Sequence, residues 1–342
     1  MTSVTMKTYP SPKIESLILA LSTTEVANPR PIFDMIAYLL SQWPSMGDSG
    51  LSGYSYFFPS IPNPFDGGAT IVGGIFMAVV LQDSSPEAMR ALWEPVLSHI
   101  NTTWPGYQLI WQPKSFPSYL GWYSENYDTS AAGKNSYIGS RLLDRVALTA
   151  NLTKSSAAYE GFANGTLATA YLVSGKGVHN AHPRGCGNAV LPAWRKAYVH
   201  ASKPLRLSHL RTRAKLTHSS PLAFGIDAPP LDQAAAVAVR KQVKGRVAAL
   251  RELAPDMGAY VNEVRDHSTP TQLCPATNAL TPQADFEEPN FQQEFWGSNY
   301  KRLYVSHSRT SLMVTPADAH THPASKSNAP STQTMSSGAL PV

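Results

Sequence analysis

The stretch "LAPDMGAYVNEV" (253–264) is apolar and aromatic, and it stops abruptly at "RDHSTPTQLCPATNALTPQ" (265–283), a run of turn-formers. Helix-like sequence resumes only at "EEPNFQQEFWGSNYKRL" (287–303). Read as a strand, the first stretch points Tyr260 and Asn262, two residues apart, to the same face. An asparagine carboxamide offers two donors and an acceptor, which suits the edge of a planar heterocycle bearing carbonyls and ring nitrogens. A phenol donates a hydrogen bond or, with a lowered pKa, serves as a base. A bland reading stands beside this one: Tyr260 as a core aromatic and Asn262 as a turn residue at a strand end.

Working outward, 342 residues are enough to bury a sizeable core. The composition, 43% hydrophobic with seven Trp, fits a globular chain over most of its length. Only 15% of residues are charged and 28 are Pro, so turns should be plentiful. The formal charge of +5 owes much to five Lys/Arg between Lys203 and Lys215, with no acid among them. A patch so local, without a nucleic-acid-binding module, argues against nucleic acid as a partner. Cys186 and Cys274 allow one bridge at most and no disulfide framework. The longest apolar run, "ATIVGGIFMAVVL" (69–81), falls short of the ~20 residues a membrane helix needs. It reads as a buried strand. The opening "MTSVTMKTYPSPK" has no apolar core of a signal peptide, yet Asn101, Asn151 and Asn164 each begin a glycosylation sequon. The secretory route is expected if a natural N-terminus lies outside this sequence.

Strand-type runs recur at "SVTMKTYP" (3–10), "IESLILALS" (14–22), "GYSYFFPS" (53–60), "TIVGGIFMAVVLQ" (70–82), "YQLIWQP" (107–113), "TLATAYLVSG" (166–175) and "NAVLPAWRKAYVHA" (188–201). Helical patterns lie between them at 32–44, 85–100 and 140–148, and a long one follows at 231–253, ended by Pro255. Such a mixture indicates an α+β fold, a large mainly antiparallel sheet with helices on one face. The tail from 305 to 342 is poor in large apolar residues and reads as disordered.

Chemistry-bearing motifs are scarce. The chain contains no P-loop, G-x-G-x-x-G, H-E-x-x-H, C-x-x-C or G-x-S-x-G. His320 and His322 in the tail make too small a ligand set for a metal site, so no metal is expected. His179 and His182 read as solvated loop histidines, and Cys186 sits in "RGCGN" without an evident activating partner.

The combination "LAPDMGAYVNE…ADFEEPNFQQEFWGSNYKRL" resembles the C-terminal signature of the berberine-bridge-enzyme-like FAD-linked oxidoreductases of fungal type. These are part of the vanillyl-alcohol-oxidase (VAO/PCMH) flavoprotein superfamily. "SVTMKTYPSPKI" (3–14) is similar to the strand closing that family's FAD domain, and "NAVLPAWR" (188–195) to a family strand. The matches run from about residue 3 to 303.

The resemblance implies a division into residues 1–12, the last strand of an FAD-binding domain, and 13–255, a substrate domain with an atypical basic insert at 203–226. Residues 256–304 would be the C-terminal motif, interrupted at 264–283, and 305–342 a tail. Most of the FAD domain, with its glycine-rich flavin loop, would precede this chain. Neither cysteine occupies the family's position for tethering flavin. Deleting 264–283 joins "GAYVNE" to "ADFEEPNFQQ" and restores the family pattern, so translated intron sequence there and from Val305 onward, or an eroded gene, is expected. The implied function is oxidation of a small organic substrate with FAD as cofactor and O2 as acceptor, in fungal secondary metabolism. A non-catalytic remnant or substrate-binding module is the alternative. The resemblance casts Tyr260 as base or substrate anchor at the flavin, and Asn262 as a flavin-edge contact. Asn299 and Tyr300 would pack nearby, while Trp194 and Arg195 read as structural.

Overall fold

The computed structural model describes residues 6, 8–127, 137–163, 165–182, 188–205, 233–261 and 288–311. In chain order they form β1 (Ile14–Thr23), α1 (Arg30–Asp48), β2 (Ser52–Pro62), β3 (Ile71–Gln82), α2 (Pro86–Thr103) and β4 (Gln108–Phe116). Next come α3 (Tyr119–Asn126), β5 (Tyr137–Asp144), α4 (Arg145–Thr149), α5 (Leu152–Ala163), β6 (Ala168–Leu172) and α6 (Lys176–His179). A 3-10 turn (Pro192–Arg195) leads into β7 (Ala197–Leu205), followed by α7 (Gln233–Leu253), α8 (Phe291–Phe295) and α9 (Tyr300–Ser311). Residues Met1–Tyr300 form one compact unit, and Lys301–Val342 a second, of which 301–311 are described as helix.

The strands build one seven-stranded sheet in the order β4-β1-β3-β2-β6-β7-β5. All six neighbour pairs are antiparallel. Strict alternation fixes its two faces. In β1, Leu17, Leu19 and Leu21 join the main core, whereas Ala20 joins a separate cluster with Phe58, Val72 and Phe76. The main core lies between the sheet and helices α1, α2, α4, α5 and α7. Helix α1 turns Ile32, Phe33, Ile36, Leu39, Leu40 and Trp43 inward at helical spacing, each fully shielded from solvent. Burying each such side chain contributes about 1.5–3 kcal/mol. Helix α2 begins where the Ser85 hydroxyl accepts from the Ala88 N–H, with Pro86 in the first turn. The expected α+β architecture, a broad antiparallel sheet carrying helices on one face, is the one observed.

Four local expectations fail. Residues 140–148, read as a helix, are mostly strand: β5 runs to Asp144, whose carboxylate then accepts from the Ala147 N–H and starts α4. Leu142 and Leu143 are both buried, so β5 lacks the alternation that would reveal it. "NAVLPAWR" is not a strand; Pro192, with fixed φ and no N–H, opens a 3-10 turn instead. The segment 257–260 takes part in no regular strand. Residues 8–13 likewise carry no sheet pairing, and 1–5 and 7 lie outside the described residues.

Candidate functional site

The face of the sheet turned away from the main core is lined by rings. Pairing register places Phe76 opposite Tyr56, Tyr56 opposite Thr169, Thr169 opposite Ser202 and Ser202 opposite Ser140. A second row sets Tyr171 opposite His200, and His200 opposite Leu142. The rings touch in sequence. Phe65–Phe76 centroids are 6.0 Å apart, Phe76–Tyr56 6.2 Å, Tyr56–Tyr171 5.9 Å and Tyr171–His200 6.2 Å. Tyr54 adds an edge-to-face contact with Tyr171 at 4.8 Å and remains 55% exposed. Edge-to-face pairs of this kind hold each ring in place by about 0.5–1.5 kcal/mol beyond burial.

Tyr260 closes the row at the β5 end. Its ring meets His200 edge-to-face at 5.8 Å and Trp194 edge-to-face at 5.6 Å, while Trp194 and His200 lie 5.6 Å apart. Three aromatic side chains from three separate segments thus converge, and His200 is only 3% exposed. Polar groups run alongside: the Thr169 hydroxyl donates to the Ser202 carbonyl at 2.7 Å and lies 2.9 Å from the Ser202 hydroxyl.

The backbone around Tyr260 is held although it forms no strand. The Leu142 N–H donates to the Gly258 carbonyl (2.8 Å), the Ala259 N–H to the Glu294 carbonyl (3.1 Å) and the Tyr260 N–H to the Ser140 hydroxyl (3.3 Å). Gly258 is needed for this close approach, since a Cβ there would meet the Glu294 carbonyl oxygen at 2.4 Å and Leu191 at 2.6 Å. Arg141 on β5 is 1% exposed. Its guanidinium donates to the Ala254 carbonyl (2.7 Å from Nη2), the Pro255 carbonyl (3.0 Å) and the Glu294 carboxylate. Burial pulls the Arg141 pKa below its ordinary value, opposed by the Glu294 charge. A second clip joins Arg251 to Glu288, ahead of α8.

Of the residues singled out from sequence, Tyr260 lies within this cluster, and Asn262 lies outside the described residues. Cys186, Cys274, Asn164, His320 and His322 are outside them as well. Trp194, read as structural, packs within the Tyr260 cluster. Arg195 does have a structural contact, donating to the Val178 carbonyl at 3.3 Å. Asn299 donates to the Val190 carbonyl at 2.8 Å, and Tyr300 packs edge-to-face on Phe291. His179 is not a solvated loop residue: its Nε2 lies 2.8 Å from the Ala197 carbonyl and its ring packs edge-to-face on Tyr198. His200, Tyr171, Tyr54 and Tyr56 went unnoticed in the sequence. The two-residue spacing in "GYSYFF" (53–58) was the signal available, as it puts Tyr54 and Tyr56 on one face. Among the described residues no group of three His, Cys, Asp or Glu could hold a metal, and no helix is long and apolar enough to cross a membrane.

No family profile matches the chain. Among curated proteins, an uncharacterized FAD-linked oxidoreductase of Arthroderma benhamiae is 26% identical over 312 residues, 88% of this chain and 45% of the relative. The FAD-linked oxidoreductase apf9 of Gibberella fujikuroi is 23% identical over 88% of this chain and 46% of its own length. Among solved structures, the VAO-type flavoprotein MtVAO713 of Myceliophthora thermophila superposes with a TM-score of 0.67 at 21% identity, across 87% of this chain and 46% of that one. The chain is similar in sequence to FAD-linked oxidoreductases and shares the fold of VAO-type flavoproteins. A xylooligosaccharide oxidase of M. thermophila, solved with xylobiose, shares the fold at a TM-score of 0.51 and 11% identity, over 90% of this chain and 55% of that one. The chain spans about half the length of the curated relatives it matches. Within that span the VAO-type fold is the seven-stranded sheet described above, with its ring-lined face turned away from the helices of the main core.

Proposed function

We propose that this chain contributes the substrate side of an FAD-linked oxidoreductase that oxidises a small organic molecule, with O2 as the acceptor. The observation that carries the reading is the convergence of Tyr260, His200 and Trp194 at one end of the aromatic face. Its support from outside is the kinship with FAD-linked oxidoreductases.

The ring-lined face fits the planar, apolar part of a flavin. Tyr54, Tyr56, Tyr171 and Trp194 offer ring edges and faces. Among the described residues, no glycine-rich loop at a helix N-terminus offers a phosphate cradle, so the fit concerns the ring system alone. The chemistry FAD supplies when bound is acceptance of a hydride. This chain's residues would bind, orient and manage a proton. Tyr260 would anchor a substrate hydroxyl or take up its proton, and Trp194 would wall the position and hold the phenol in its rotamer. Asn262 would contact the flavin edge. Fungal secondary metabolism and a secretory location belong to the same proposal.

Titration of the purified chain with free FAD, read by quenching of flavin fluorescence, tests the reading. Saturable quenching is expected. Tyr260→Ala and Trp194→Ala should each weaken it by about 1 kcal/mol, roughly fivefold, while Tyr119→Ala on distant α3 leaves it unchanged. Quenching that does not saturate, or that ignores both substitutions, would favour the non-catalytic module instead.

A further inference from the structure

The sequons absorbed nothing of the function, and one of them adjoins an unassigned cavity. Asn101 stands exposed in the last turn of α2, and its carboxamide makes no hydrogen bond within the described residues. It sits on the rim of a cavity of about 520 Å³ between α2 and the edge strand β4. Helical spacing brings Leu97 and Trp104 to the same side as Asn101, and Tyr107, Leu109 and Trp111 form the opposite wall. Arg90 lies over the Trp111 ring at 5.7 Å. The cavity is thus mostly apolar, walled by two indoles and a phenol, with polar groups at its mouth.

We propose that Asn101 is an N-glycan acceptor and that its first sugar seats in this indole-lined cavity. The sequon Asn101-Thr102-Thr103 supplies the acceptor, and a lipid-pyrophosphate-linked oligosaccharide is the donor. The Asn101 Nδ2 forms a bond to the anomeric carbon as the bond from that carbon to the pyrophosphate oxygen breaks. An amide proton and the lipid pyrophosphate leave, with no change of oxidation state. A pyranose has one face of C–H groups, which suits the electron-rich face of an indole; its hydroxyls point to water, while its acetamido methyl joins the apolar wall. The occupant is covalently tethered at the rim, so its local concentration at the cavity is high. The covered strand is also the sheet's edge, where a bulky hydrophilic group blocks pairing with another chain. By contrast Asn151, the other described sequon asparagine, accepts from the Lys154 N–H at the start of α5 and is not part of this cavity's lining.

The test secretes the full chain from a eukaryotic host behind an added export signal and maps glycopeptides by mass spectrometry. A glycan on Asn101 is expected. Asn101→Gln and Thr103→Ala should both remove it, and Thr103→Ser should keep it. After trimming to the first sugar, its N-acetyl methyl proton resonance should move upfield under the indole ring current and return on Trp111→Ala. Should that variant fold poorly, hydrogen exchange over residues 104–111 serves instead: slower in the trimmed wild type than in Asn101→Gln. An unmodified Asn101 in the secreted chain overturns the acceptor. A modified Asn101 with an unshifted methyl signal and unchanged exchange overturns the seat.

Discussion

Arg141 is the residue on which the geometry of the Tyr260 segment depends most. Its guanidinium holds the carbonyls of Ala254 and Pro255 and the carboxylate of Glu294, joining the chain before the motif to α8 after it. Arg141→Ala leaves Glu294 as an uncompensated charge that is 8% exposed, so a loss of about 3–5 kcal/mol is expected in urea denaturation. The double change Arg141→Met with Glu294→Leu should recover part of it, because no charge is then left unpaired. Glu288 gives a pH dependence of stability. Burial pushes its carboxyl up, but the hydrogen bonds from Arg251 and the Asn290 N–H outweigh this and hold it below the ordinary value of 4.5. A depressed folded value stabilises the fold above the unfolded value and ceases to as pH falls through the folded one. Thermal melts of wild type and Glu288→Gln should therefore differ above about pH 5 and converge as pH drops below 4.5. At this scale the sequence showed Tyr260 but hid its partners. His200 and Trp194 lie 60 or more positions upstream and meet Tyr260 only through strand register and a 3-10 turn, which no local pattern encodes.

Among the elements, β1 and helix α1 were legible because their periodicity is clean, and β3 because its apolar run is continuous. Leu17, Leu19 and Leu21 alternate with the residues of the other face, and α1 repeats its apolar positions every three to four residues. Strand β5 was not legible, since Arg141 reads as a surface residue and yet is buried, and Leu142 and Leu143 are both inside. The segment 257–260 was expected as a strand from its apolar content. It is instead an irregular connection whose polar groups pair with β5, Ser140 and α8. Gly258 is the element-scale test of that arrangement. Gly258→Ala should cost about 1–3 kcal/mol in equilibrium denaturation, because the new methyl group meets a backbone oxygen that cannot easily give way. The same substitution at Gly106, where a Cβ would meet nothing within 4 Å, should be close to neutral.

For the whole molecule, a single sheet separates two chemistries. One face packs against helices and supplies the stability; the other carries the rings, with the phenol of Tyr260 at its β5 end. The sheet's antiparallel character followed from sequence, but the order β4-β1-β3-β2-β6-β7-β5 did not, because β2 pairs with β6 across more than 100 residues. That long-range pairing is what brings Tyr54 and Tyr56 to Tyr171 and so extends the aromatic row toward His200. The central claim is that this face receives the flavin ring. Hydrogen exchange of the chain with and without FAD tests it most directly. Slowed exchange is expected in β6, β7 and residues 257–261, with α1 and α2 unchanged. Protection confined to the helical side, or none at FAD concentrations that saturate quenching, would contradict it.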